Sequence, residues 1–127
     1  MDLPEKLKYT ETHEWIEDHG DGTATVGITA VAAEQLGDLV YVELPKIGVR
    51  VVRGANCAVV ESTKAASEVY APLAGEVLEA NAELSAHPER VNQSPYKDGW
   101  IFKLRIANRS ELDSLLARDA YAKSAGV

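Results

Sequence analysis

The sequence has little of what disulfide cross-links, membrane spans or nucleic-acid binding require. It contains one cysteine, Cys57, which excludes an intrachain disulfide. No apolar run approaches the roughly 18 residues that indicate a membrane-spanning helix. The 20 acidic residues outnumber the 13 basic ones, and the net charge of −7 argues against a nucleic acid as partner. We therefore expect a protein that meets basic surfaces on other proteins, with no membrane and no nucleic acid among its partners.

Candidate catalytic and metal-binding groups are also few. The three histidines, His13, His19 and His87, lack the spacing of metal ligands, so no metal site is predicted. The sequence has no Ser-His-Asp arrangement and no phosphate-binding glycine loop, and no catalytic residue is assigned. Cys57 is interpreted as a small, buried strand residue in preference to a reactive thiol.

The length and the N-terminal segment bound the organisation of the chain. Its 127 residues fit a single domain, since domains typically have about 100–200 residues, and we expect residues 1–127 to form it. The first residues, MDLPEKLKYTETHEW, are too polar for a signal peptide. The expected location is therefore the cytoplasm, in a bacterium.

Turn signals recur at short intervals and separate short runs of β-forming residues. Asp21-Gly22 is a hairpin signal, and residues 45–48, 52–56 and 72–75 are further turn candidates. Many short strands with this spacing predict a mostly β fold, either a sandwich or a barrel. The predicted strands cover residues 24–29, 39–44, 58–61, 69–71, 76–79 and 100–106.

Helical signals are limited to three segments. The first predicts a short helix that Thr29 caps and Gly37 ends. Pro88 suits the first turn of a second short helix. Residues 108–125 predict a longer C-terminal helix, with Ser110 as its N-cap.

One lysine stands alone in the stretch VVESTKAASEVYAPLAGEV, residues 59–77. Small residues surround Lys64 and apolar β-formers flank them, which predicts a hairpin with Lys64 in its exposed turn. Glu61 and Glu68 stand on either side and favour the charged ammonium, whereas a nucleophilic lysine must be neutral. Lys64 therefore fits an attachment site for an acyl group better than a catalytic group. The alternative is an ordinary solubilising surface lysine.

The stretch around Lys64 resembles the lipoyl-lysine motif, with Glu61, Ser62 and Ala65 beside the lysine and Gly75 eleven residues after it. Biotin carriers usually place methionines on both sides of the lysine, where this chain has threonine and alanine. Five further segments extend the resemblance in order over nearly the whole chain. They are KYTETHEW, VGIT, LGDLVYVELPKIG, GEVLEAN and VNQSPYKDGWIFKL. The sequence is similar to those of the glycine cleavage system H-protein family.

This resemblance implies a barrel-sandwich hybrid fold of the lipoyl carrier type, with short peripheral helices and a C-terminal helix. It implies that a lipoate ligase or a lipoyl transferase attaches lipoate to Lys64 through an amide. The family is a carrier and has no catalytic activity of its own. Its arm takes the aminomethyl group of glycine from a pyridoxal-phosphate glycine decarboxylase to a tetrahydrofolate-dependent aminomethyltransferase. Dihydrolipoamide dehydrogenase then reoxidises the arm.

The resemblance further implies that the loaded arm retreats into a cleft on the carrier. Carboxylates suit such a cleft, because the aminomethyl nitrogen is cationic and pairs with them. The matching candidates are Glu14 and Glu68, with Thr12 as a hydroxyl donor or acceptor. The alternative for Glu14 is a surface acid beside Trp15.

Three other functions that use a single exposed lysine are alternatives to the glycine cleavage carrier, and the sequence supports them unequally. A relay that donates lipoate to 2-oxo acid dehydrogenases needs the same lysine, so the sequence leaves it open. A lysine-dependent enzyme is disfavoured by the acidic neighbours of Lys64. A free-standing lipoyl domain from an acyltransferase is shorter and lacks the THEW and C-terminal segments.

Overall fold

The computed structural model describes residues 2–127, which form two antiparallel β-sheets surrounded by short helices. Met1, the first residue of the expected domain, lies outside the described residues. The larger sheet has six strands in the order β1-β2-β3-β9-β8-β5, and the smaller has three in the order β4-β6-β7. The strands are β1 (Lys8–Tyr9), β2 (Glu14–Asp18), β3 (Thr23–Ile28), β4 (Leu39–Glu43), β5 (Arg50–Val51), β6 (Asn56–Ser62), β7 (Ala66–Tyr70), β8 (Gly75–Ala80) and β9 (Phe102–Ile106).

The predicted mostly β, barrel-sandwich architecture is confirmed, with two sheets that do not close into a barrel. The six predicted strands correspond to β3, β4, β6, β7, β8 and β9. Strands β1, β2 and β5 were not among the predictions. Two of them have only two residues each, and β2 begins with three successive buried residues, so it lacks the alternation that identifies a strand.

The first predicted helix is confirmed at both ends. Helix α1 (Ala30–Leu36) begins after Thr29, whose side chain accepts a hydrogen bond from the amide of Ala32. It ends at Gly37, whose φ of 79° is a conformation that favours glycine.

The other two short helices match the sequence less closely. Helix α3 (Arg90–Gln93) begins two residues after Pro88, which lies in the preceding turn. Helix α2 (Glu83–Ala86) was not predicted.

The prediction of one continuous C-terminal helix is wrong. The segment forms a 3₁₀ helix (Arg109–Ser114) and then, after a break, helix α4 (Arg118–Ala125). The break occurs because Leu116 exchanges two backbone hydrogen bonds with Tyr9 of β1, at 2.8 and 2.7 Å. Asn108, and not Ser110, caps the 3₁₀ helix, since its side chain accepts from the amide of Ser110.

Two hydrophobic clusters fill the interior. The larger one contains residues of both sheets, and β9 contributes alternate residues to it, with Phe102 and Leu104 buried while Arg105 is exposed. The smaller cluster lies where α4 meets β1, and the rings of Tyr9 and Tyr121 stack there with centroids 4.8 Å apart. Its buried members are Leu7, Tyr9, Trp15, Val31 and Tyr121.

Gly75 has a packing role at the start of β8. Its neighbours across the sheet are Val51 of β5 and Ile106 of β9. A Cβ atom at this position would overlap the backbone carbonyl oxygen of Arg105. Because a backbone atom in a central strand cannot move aside cheaply, only glycine fits here.

We therefore expect Gly75→Ala to lower the free energy of unfolding by roughly 1–3 kcal/mol, the usual cost of overpacking. Denaturant unfolding followed by circular dichroism measures this change. Ser67→Ala, on the exposed part of β7, is the control and should unfold at the midpoint of the unaltered protein. Equal midpoints for both variants would contradict the packing role of Gly75.

Candidate functional site

Lys64 lies in the turn of the β6–β7 hairpin, as the sequence predicts. The paired strands end at Glu61 and Ala66, and the amide of Ser62 donates to the carbonyl of Ala65 at 2.8 Å. Thr63 and Lys64 occupy the two central positions of the turn, and both are exposed. The side-chain amine is therefore open to a partner protein.

Ser62 organises the turn through its side chain. Its Oγ accepts from the amide of Lys64 at 3.3 Å and from the amide of Ala65 at 3.1 Å. A serine hydroxyl that bonds the next amides in this way holds a tight turn in one conformation. Below the turn, Val60 and Val69 are buried, so the hairpin is anchored in the larger hydrophobic cluster.

A cleft of about 540 Å³ lies beyond the other end of β7. Four separate segments line it: residues 9–14, 53–54, 70–72 and 114–116. Of the three predicted cleft residues, Glu14 and Thr12 line it. Arg53, Tyr70, Leu115 and Leu116 also line it and were not predicted.

Glu14 is a buried acid at this cleft, with 1% of its surface exposed. Its Oε1 accepts from the hydroxyls of Thr10 and Thr12, at 2.5 and 2.6 Å, and its Oε2 accepts from the amide of Tyr70 at 3.2 Å. Burial raises the pKa of the Glu14 carboxyl, and these hydrogen bonds act in the opposite direction because they stabilise the charged form.

The Glu14 carboxylate has room for one more partner. An ionised carboxylate has about four acceptor positions, and three donors occupy the two oxygens here. None of the ion pairs among residues 2–127 includes Glu14. A buried carboxylate without a cationic partner is costly, so this oxygen pair is suited to a cation that enters the cleft.

The C-terminal helix supports the loop that carries Thr10 and Thr12. The hydroxyl of Tyr121 lies 2.6 Å from Nδ1 of His13 and 2.8 Å from Oγ1 of Thr29. His13 has a φ of 75°, in the left-handed region, and burial lowers the pKa of its imidazole. The loop is therefore fixed by a buried hydroxyl from the far end of the chain.

Arg53 lies at the exposed rim of the cleft. Its guanidinium donates to the Ser114 hydroxyl, and that hydroxyl donates in turn to the carbonyl of Glu111. The cleft thus has a cation at its rim and a buried anion, Glu14, in its wall. In the sequence, Arg53 lies within the turn candidate 52–56, and no feature other than its charge indicates a functional role.

The remaining predicted site residues do not line the cleft. Glu68 is exposed on β7 and accepts from the side-chain amide of Asn56 at 3.0 Å. The charge of Glu68 and its hydrogen bond to the Tyr70 hydroxyl raise the pKa of that phenol. Glu61 is half-buried in β6, opposite Tyr41. Gly75 belongs to β8 of the six-stranded sheet and not to the lysine turn.

A family model described as glycine cleavage H-protein matches residues 7–126. The chain belongs to this family. Relatives from Laribacter hongkongensis and Salmonella arizonae, both named glycine cleavage system H protein, are 54% and 55% identical to it. The first match covers 98% of both chains, and the second covers 94% of this chain and 92% of the relative.

A solved structure has the same fold. The crystal structure of a glycine cleavage system H protein from Mycobacterium marinum superposes with a TM-score of 0.91 at 38% identity. The match covers 98% of this chain and all of the other.

Membership of the glycine cleavage H-protein family decides between a carrier and a lysine-dependent enzyme. Its members are lipoyl carriers, and they serve the glycine cleavage system as subunits without catalytic activity. The predicted family and the prediction of a carrier in place of an enzyme are confirmed. Within residues 2–127, no helix has the length and apolar character needed to cross a membrane.

The hydrogen bonds to Glu14 generate a prediction about its pKa. Thr12→Val removes one donor to the charged carboxylate, so we expect the pKa of Glu14 to rise further above that of an ordinary glutamate. Thr12→Ser keeps the hydroxyl and should leave the pKa where it is. Carbon-13 NMR titration of the Glu14 carboxyl measures both variants. Identical titrations for valine and serine would contradict a bond from this hydroxyl.

Proposed function

We propose that lipoate is attached through an amide to Lys64, and that this residue carries the function of the chain. The observation that supports this proposal most directly is the position of Lys64 in an exposed two-residue turn. The side chain of Ser62 fixes the conformation of this turn. A long side chain on a fixed base can reach several active sites in turn. The dithiolane of lipoate supplies reversible redox chemistry and a sulfur that holds an aminomethyl group.

The proposal includes three partner enzymes. The arm receives the aminomethyl group of glycine from the pyridoxal-phosphate decarboxylase and presents it to the tetrahydrofolate-dependent aminomethyltransferase. Dihydrolipoamide dehydrogenase then takes the reducing equivalents. We propose that residues 1–127 act as one domain in the bacterial cytoplasm; the relatives in Laribacter and Salmonella are consistent with a bacterial source.

We also propose that the cleft holds the loaded arm and that Glu14 is the counterion of its cationic nitrogen. The unoccupied acceptor position on this buried carboxylate supports the role, because a cation there would relieve an unpaired charge.

The proposed path of the arm from Lys64 to the cleft follows β7. Tyr70 lies six residues beyond Lys64, or about 20 Å along an extended strand. The arm would follow the face of β7 that presents Ala66 and Glu68 before it reaches Tyr70. Glu68 would border this path.

The attachment site is tested with Lys64→Arg, which keeps the charge and removes the acylated amine. Incubation with a lipoate ligase, lipoate and ATP should add one lipoyl group to the unaltered protein and none to the variant. Lys97→Arg, an exposed lysine elsewhere, should be lipoylated normally. Intact and peptide mass spectra measure the result. A lipoyl group on Lys64→Arg would exclude Lys64 as the site.

The carrier cycle itself is tested with the three partner enzymes. The lipoylated chain should support ammonia release that depends on glycine, and chain without lipoate should not. Lipoylation without any glycine cleavage would instead favour a relay of lipoate to other enzymes.

The counterion role predicts that Glu14→Gln shortens the lifetime of the aminomethyl-loaded arm. Glu17→Gln, in the same strand but outside the cleft, should keep the normal lifetime. Formaldehyde and ammonia released from the loaded, isolated carrier measure the decay.

The effect of Glu14 on this lifetime also depends on pH. Because burial raises the pKa of Glu14, the carboxylate protects the loaded arm above that pKa, and the protection is lost as the pH falls through it. The ratio of unaltered to Glu14→Gln lifetimes should therefore approach one in acid. A ratio of one at neutral pH would contradict the role.

A further inference from the structure

The side chain of Lys64 lies against Gly37, the residue that ends α1. Its Cε and Nζ are 3.5 and 4.0 Å from the position that a Cβ on Gly37 would occupy. These are ordinary van der Waals distances, so the lysine stem packs beside Gly37. The amine is therefore presented on the side of the hairpin that faces the junction of α1 and β4.

This side is opposite the cleft. In the three-stranded sheet, β4 and β7 are the two edges and β6 lies between them. Glu14 contacts the backbone of Tyr70 on β7, whereas Gly37 leads directly into β4. The unmodified amine and the proposed resting place of the arm thus belong to different edges of one sheet.

The β4 edge carries an exposed apolar pair beside the turn. A bulge between Leu39 and Tyr41 turns both Val40 and Tyr41 outward, with 56% and 48% of their surfaces exposed. Tyr41 pairs with Glu61, and Leu39 pairs with Ser62, which fixes the lysine turn. Two adjacent exposed apolar side chains at a sheet edge indicate a site of contact with another protein.

The chain segments that carry this pair and the lysine turn are acidic. Residues 30–45 and 56–71 contain no lysine or arginine other than Lys64 itself. Asp38 is exposed between Gly37 and the bulge, and Glu43 is exposed at the end of β4. A partner that covers this edge must therefore have a basic surface around an apolar pocket.

We propose that residues 37–41 form the docking surface for the enzyme that acylates Lys64. The inference rests on the proposed attachment of lipoate to this lysine. A two-residue turn alone offers far less than the roughly 800 Å² per partner of a standard interface, so the enzyme must also cover neighbouring surface. The β4 edge, towards which the amine points, supplies this additional surface. The lysine nitrogen bonds to the acyl carbon of an activated lipoyl adenylate, the bond to AMP breaks with its electron pair, and the ammonium loses two protons.

The test uses the chain without lipoate, a lipoate ligase, lipoate and ATP. Val40→Thr/Tyr41→Thr keeps β-forming residues and removes the apolar pair. The matched control is Ile47→Thr/Val52→Thr, whose residues are 68% and 69% exposed outside this edge. We expect kcat/KM for lipoylation to fall about tenfold in the first double variant, as for loss of an anchor residue, and to be unchanged in the control. Thermal unfolding checks that both variants remain folded.

Charge reversal provides a second, independent measurement. Asp38→Lys should weaken direct binding of the chain to the ligase, measured by calorimetry, because it places a cation opposite a basic partner. Asp113→Lys, an exposed acid on the 3₁₀ helix, makes the same charge change away from the edge and should bind normally.

The outcomes separate this inference from the proposed function. Normal lipoylation and binding for the β4-edge variants would overturn the docking surface and leave Lys64 as the attachment site. Normal lipoylation with a loss only in later glycine cleavage would assign the edge to another partner and also overturn the inference. Failure of the unaltered protein to accept lipoate at Lys64 would overturn both proposals together.

Discussion

The pairing of β6 with β7 connects an exposed lysine to a buried core, and the other functional features depend on it. Val60 and Val69 are buried on the inner side of these strands, while the turn above them is open to solvent. The same two strands continue to Asn56 and Tyr70 at the other end, where Tyr70 donates to Glu14. One hairpin therefore fixes both the proposed point of attachment and one wall of the cleft.

The cleft combines a buried acid with both polar and apolar lining residues and an exposed cation at its rim. Burial makes the Glu14 charge costly, and the two threonine hydroxyls and the Tyr70 amide offset only part of this cost. The guanidinium of Arg53 adds a positive charge at the exposed rim, where it donates to the Ser114 hydroxyl. The negative charge in the wall and the positive charge at the rim thus belong to one cleft.

Features with local causes could be predicted from the sequence, and features with distant causes could not. The cap at Thr29, the stop at Gly37 and the lysine turn each depend on a few neighbouring residues. The C-terminal helix is interrupted by a bond to Tyr9, more than 100 positions away, and no local pattern indicates it. The cleft also joins segments far apart in the chain, so Glu14 and Thr12 could be proposed from a family motif, while Arg53 and Leu116 could not.

The paired backbones of Tyr9 and Leu116 join the two ends of the chain next to the cleft. Residues on both sides of this bridge line the cleft, and Tyr121 just beyond it holds the loop that carries the Glu14 donors. Opening of the bridge would loosen both walls in one event. A ligand that contacts both walls would therefore hold this bridge closed and suppress fraying of the residues that it joins.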